Sequence, residues 1–214
     1  MSQAAGVPVG WFMTRLLALA LVPFLSARGA LAPLDEKASS ITFTGHATLH
    51  DFHGEVRDFH GQAMLTRGAP FLVTTAEIDF ATAGLTTFQS ARDRNMAEWL
   101  KAASNPTIVY RLEKITCRKG DPAHASPAQP AEFVVRGTLT LNQMTRPVLA
   151  VVQGWRDRNE LVVTGTANLN TLTYGLPIIK QFFLTVDEHV DVAFRLVFDL
   201  PPSASGAVQL RLNH

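Results

Sequence analysis

Four histidines crowd one stretch of this chain, His46-x3-His50-x2-His53-x6-His60. Imidazole is the commonest side-chain ligand for transition metals, so the run raises the question of a metal or haem site. Compact zinc sites, however, take Cys or His pairs about two to five residues apart, on turns or on one helix face. His46 and His50 fall on the same face of an alternating strand but two pleats apart, too far for one ion to bind both unaided. His50, Asp51 and His53 lie beside a break in the strand pattern and would form the heart of any such site. The competing reading is a solvated polar strand face, and on it no bound metal is expected. Metal or haem handling through His46 to His60 stays the alternative function.

Catalytic groupings are lacking in the sequence. It holds no G-x-S-x-G nucleophile elbow and no glycine loop built to cradle phosphate. The one cysteine, Cys117, has no partner for an internal disulfide, and it reads as a small half-buried strand residue. No catalytic residue, no cofactor and no enzymatic activity are expected.

Strands must position whatever acts here. Ile41, Phe43, Gly45, Ala47 and Leu49 alternate with Thr42, Thr44, His46, Thr48 and His50, the period of two that separates the faces of a sheet. The phase breaks around His53-Gly54, where Gly54 signals a bulge or tight bend. Further strands are expected over Phe59 to Leu65, Phe71 to Phe80, and from Ile108 through Tyr110 and Leu112. Others follow over Phe133 to Leu141, Pro147 to Val152, Leu161 to Leu169 and Leu184 to Phe198. Asn142 to Thr145 supply the turn of a hairpin. One helix is expected from about Arg92. Ser90 and Asp93 have capping-box spacing, Asp93 complements the helix dipole, and Met96, Trp99, Leu100 and Ala103 share one helical face. Arg118 to Ala131 is a Pro/Ala-rich stretch, expected as a mobile surface loop. About eight antiparallel strands with one apolar face each must hide those faces, as a barrel or as a sandwich.

Four stretches resemble, in order, the signature of the YceI-like family of bacterial exported lipid-binding proteins. They are GTLTLNQMTRPV from Gly137, the Arg92-Asp93 … Asn105-Pro106-Thr107-Ile108-Val109-Tyr110 block, NTLTYGL from Asn170, and VDEHVDV from Val186. The resemblance covers roughly Ser40 to Leu200. Two departures stand out: Asn95-Met96 where the family usually has His-Leu, and Asn142-Gln143-Met144 where it has a Gly-containing turn. The resemblance implies a lipocalin-like, eight-stranded antiparallel β-barrel with one short helix, hollow enough to hold a long isoprenoid lipid of quinone or polyprenyl phosphate type. The candidate lining is then Phe43 from the first strand, Met96 and Trp99 from the helix, and Ile108, Tyr110 and Leu112 from the strand after it. Phe133, Val135 and Leu139 add to it, with Val190, Val192 and Phe194 from the last strand. Arg92 and Asp93 become candidate contacts to a polar head, since a guanidinium suits phosphate or quinone oxygens.

The chain has 214 residues, 47% apolar and 17% charged, with a net charge of +1. That suits one globular domain and gives no reason to expect nucleic acid as a partner. Arg15 precedes Leu16 to Leu25, an apolar core of signal-peptide length, and Ala30-x-Ala32 fits a cleavage pattern. Residues 1–32 are therefore expected as a signal peptide with Met13 as an alternative start and Ala27 or Ala30 as alternative cleavage points. Residues 33–214 are expected as a single periplasmic domain. An inner-membrane partner protein and a homodimer are left open.

Overall fold

The computed structural model describes residues 29–66, 73–181 and 184–201. In chain order the strands are β1 (Ala30–Pro33), β2 (Ser40–Ala47), β3 (Phe52–Val56), β4 (Phe59–Leu65), β5 (Val73–Ala81) and β6 (Leu85–Thr86). The helix α1 (Ser90–Trp99) follows. Then come β7 (Thr107–Lys119), β8 (Ala131–Leu141), β9 (Met144–Asp157), β10 (Glu160–Asn170), β11 (Lys180–Gln181) and β12 (Leu184–Asp199). Short 3-10 turns at Thr82–Gly84 and Thr171–Tyr174 complete the set.

The strands form one curled antiparallel sheet in the order β1-β4-β5-β7-β8-β9-β10-β12-β2-β3-β6, with β11 on β12. Its two sides meet through the exit from β1. Leu34 donates its N–H to Gly61 O at 3.0 Å and bridges Phe198, and Asp35 N–H reaches Val197 O at 2.8 Å. The architecture is the lipocalin-like all-β one, but with twelve strands among the described residues instead of eight. The eight expected strands are all present. The additions are β1, β3, β6 and β11, and β6 and β11 are two-residue pairings, too short for any alternation to announce. β3 is parted from β4 at Asp58, whose φ of 51° is left-handed and breaks the strand path.

Alternation is realised most cleanly on β8, where Ala131, Phe133, Val135, Gly137, Leu139 and Leu141 point inward and are buried. The β8–β9 hairpin is tighter than expected. Only Asn142 and Gln143 form the turn, with φ of 49° and 60°, the two positive values a type I′ loop requires. Thr145 and Arg146 belong to β9. Gly54 is likewise not a bend: the bend lies at 48–51, and Gly54 pairs with Phe43 inside the sheet. Gly45 pairs with Phe52 in the same register, so each glycine lies under an aromatic ring of the neighbouring strand. A Cβ at either position would sit 2.2 Å from ring carbon Cζ, which explains why neither carries a side chain.

Three further expectations change. No side chain caps α1, and the residue at its N-cap is Gln89, not Ser90. Asp93 is drawn away from the helix end by Thr86 and Thr87, and Ala103 lies beyond the helix and exposed. Cys117 is exposed rather than half-buried. The stretch 118–131 is no loose excursion: it is hydrogen-bonded and folds over one end of the sheet. Residues 71–72 of the expected third strand, and residues 1–28 of the expected signal peptide, lie outside the described residues. Ala30 to Ala32 are already strand, paired with β4, and Ala32 is 0% exposed. Among the described residues no helix is long and apolar enough to cross a membrane.

Candidate functional site

The inward sides of the strands do not fill the space they enclose. A continuous cavity of about 1060 Å³ runs through the interior, at the upper end of the roughly 300–1,000 Å³ typical of small-molecule sites. Side-chain burial carries the same message. Leu112, Val163, Val190, Val192 and Phe194 all face inward, yet each is only half-buried, because they border empty space. Solid packing is confined to clusters around the hollow. Leu34, Phe59, Leu65, Ile78 and Phe198 pack at the seam, and Leu100, Leu139, Leu141, Tyr174 and Leu176 pack beneath the helix.

All twelve residues expected as lining border this cavity. Phe43 comes from β2, Met96 and Trp99 from α1, and Ile108, Tyr110 and Leu112 from β7. Phe133, Val135 and Leu139 come from β8, and Val190, Val192 and Phe194 from β12. The sheet brings them together because each strand presents every second residue inward. The helix is clamped in place when Trp99 Nε1–H donates to Pro177 O at 2.8 Å. Burial, with help from Glu113, pushes the Tyr110 hydroxyl up to about 12, so its phenol enters the cavity neutral and able to donate.

Polar groups gather at the helix end. His50, Arg92, Asn95 and Asp187 border the cavity there, and the Arg92 guanidinium lies 5.5 Å from the centroid of the Phe52 ring, an arrangement that holds the cation over the aromatic face. Asp93 does not join them. The amide and hydroxyl of Thr87 donate to its Oδ1 at 2.7 and 2.6 Å, and the Thr86 hydroxyl donates to Oδ2 at 2.8 Å. Expected as a contact to a polar head, Asp93 is instead committed to fixing the segment that leads into α1. His50, Phe52 and the loop residues Pro122, Ala123 and Ala125 also border the cavity, and sequence pattern did not mark them. Phe52 opens β3 beside the bend at 48–51, and the others sit in turns, where no periodicity reports which way a side chain faces.

The histidine run does not converge. The His53 ring meets Thr44 Oγ1 at 2.9 Å, His60 pairs with Glu36, and His50 faces the cavity. His46 lies between two carboxylates, its Nδ1 3.0 Å from Asp51 and its Nε2 3.0 Å from Asp191. Among the described residues the one group with metal-holding geometry is Asp187-Glu188-His189, which takes no histidine from that run. Both ring nitrogens of His46 can donate only in the imidazolium form, so Asp191 and then Asp51 raise its pKa above the ordinary value of 6.5. This link across the rim is thus in place at low pH and weakens as pH rises through the raised value. Titration by nuclear magnetic resonance should find His46 above the ordinary value of 6.5, and Asp191→Asn should bring it down. A His46 signal unmoved by Asp191→Asn would refute the assignment.

Comparison with known proteins decides the family. The family model described as the YceI-like domain matches residues 33–198. This chain belongs to the YceI-like family. A search of curated protein sequences finds no match. The YceI-like fold is shared with BcnA of Burkholderia cenocepacia at a TM-score of 0.63 and 15% identity, covering 77% of this chain and 98% of that one. A polyisoprenoid binding domain from Saccharophagus degradans, implicated in plant cell wall breakdown, matches at 0.62 and 14%, covering 79% and 98%. The YceI protein of Campylobacter jejuni matches at 0.54 and 12%, covering 73% and 89%. At such identities the YceI-like fold is what these structures share with this chain.

Proposed function

We propose that this protein binds and carries a long apolar isoprenoid lipid, of quinone or polyprenyl phosphate type, inside its barrel. The family membership and the polyisoprenoid-binding neighbour support a lipid-binding role, and the cavity is the observation that carries the reading to this chain. Burial of an apolar chain contributes roughly 25 cal/mol per Å² before association costs, so a tail needs few polar contacts. Arg92 is the group suited to an anionic or carbonyl head, with Asp93 holding the approach to its helix. We further propose export to the periplasm behind the N-terminal signal, with cleavage near Ala27, which leaves β1 intact. Delivery then requires release from a membrane, by a partner protein or a second copy.

The test is mass spectrometry of organic extracts from purified protein, with metal analysis of the same sample. An isoprenoid is expected at near-equal stoichiometry. Arg92→Ala should retain neutral prenols and lose polyprenyl phosphate by about tenfold, the loss of one charge-assisted hydrogen bond. No extractable isoprenoid, together with no uptake of added quinone or prenol, would rule the reading out.

A further inference from the structure

We propose that the loop spanning residues 120–130 sets the length of chain the cavity accepts. The inference rests on the isoprenoid reading above and adds a specificity element to it. α1 and Arg92 stand at one end of the cavity. β7 runs from there for 13 residues to Lys119, roughly 40 Å along the strand and nearer about 30 Å along the axis at the usual barrel tilt. At that far end the chain turns back over the opening before entering β8 at Ala131. Pro122, Ala123 and Ala125 thereby border the same cavity that Arg92 borders.

The loop is built to hold this position. Gly120 enters it with a φ of 87°, and a Cβ there would lie 3.1 Å from Ala131 Cα. Asp121 accepts from the Ala123 amide at 2.9 Å and from His124 Nδ1 at 2.6 Å. Ser126 and Gln129 exchange backbone hydrogen bonds at 3.1 and 3.0 Å. The Arg156 amide donates to Ala125 O at 3.2 Å, and Ala125 packs beside the cluster of Phe133, Val135, Ala150 and Val152. Two of its three cavity-facing side chains are therefore single methyl groups on a braced backbone. A head held near Arg92 sends its tail toward this loop, and a tail too long for the run must displace it or fold back on itself. Larger side chains at Ala123 or Ala125 shorten the run; removing the loop lengthens it.

The experiment strips purified full-length protein of lipid and loads it with an equal mixture of all-trans polyprenols from farnesol to decaprenol. Retained species are then measured by mass spectrometry. Ala125→Phe should shift the retained distribution toward shorter members by at least one isoprene unit. Ala123→Phe, at an exposed position that tolerates a ring without refolding the loop, should shift it the same way. Replacing residues 121–129 with a two-residue turn should shift it toward longer members. Phenylalanine variants that retain the wild-type distribution at wild-type occupancy overturn the proposal. Wild-type protein that retains no polyprenol of any length overturns the isoprenoid reading, and this inference with it.

Discussion

Replacing Val192 by Trp should empty the barrel of lipid while leaving the protein almost as stable as wild type. Val192 pairs with Phe43 on β2 and Ala167 on β10, and its side chain borders the middle of the cavity. In a solid core such a change overpacks and costs about 1–3 kcal/mol, because neighbours must leave their rotamers. Here the indole enters a space of about 1060 Å³, so strain has somewhere to go and the ring gains apolar contacts. The same ring blocks the path between Arg92 and the far loop, so retained isoprenoid should fall by at least about tenfold, equivalent to about 1.4 kcal/mol. Thermal unfolding beside extracted lipid content measures both effects on one sample. A variant that melts far below wild type yet holds as much lipid while folded would show that Val192 belongs to packed core, not to a pocket wall.

Val192 belongs to a long alternating strand, and its inward face is legible in the sequence. On β12 and β8 the period of two states which residues share a face, and closure of the sheet states that this face is inward. The same logic found Phe43, Tyr110, Leu112 and Phe133. Whether that face enclosed a solid core or a hollow was not legible, since both need the same apolar alternation; only the family resemblance pointed to a cavity. Turn-borne members escaped for a different reason. His50, Ala123 and Ala125 reach the cavity by the path of a loop, and composition marked the last two as an exposed surface run. The histidine spacing was legible as poor chelation, but the pairing of His46 with Asp191 joins residues 145 positions apart, a proximity no local pattern carries. Locality hides the partners of Asp93 as well. Capping-box spacing invited a partner within the helix, whereas its partners, Thr86 and Thr87, precede it.

Those partners make Asp93 a polar group whose loss should strongly destabilise the fold. Thr86 and Thr87 are 8% and 5% exposed, so the donors they aim at the carboxylate have little water to turn to. Asp93→Ala leaves the Thr87 amide and both hydroxyls without that acceptor, at a cost of about 3 kcal/mol in total. For a domain of this size that corresponds to a fall in melting temperature of about 10 °C. Burial pushes the Asp93 carboxyl up, but hydrogen bonds from Thr87 and Thr86 outweigh it, with Arg92 adding to them, and hold the pKa below the usual carboxylate value. A carboxyl lowered in the folded state stabilises fully above its unfolded value of about 4, and that contribution is lost as pH falls through the folded value. Wild type should therefore lose stability in the acid limb below about pH 4, and Asp93→Ala should show a shallower limb there. Because the same contacts fix the entry to α1, the variant should also loosen Arg92 and weaken selection among lipid heads while neutral prenols still bind. If Asp93→Ala melts within about 2 °C of wild type at neutral pH, the bonds to Thr86 and Thr87 do not hold this end of the barrel.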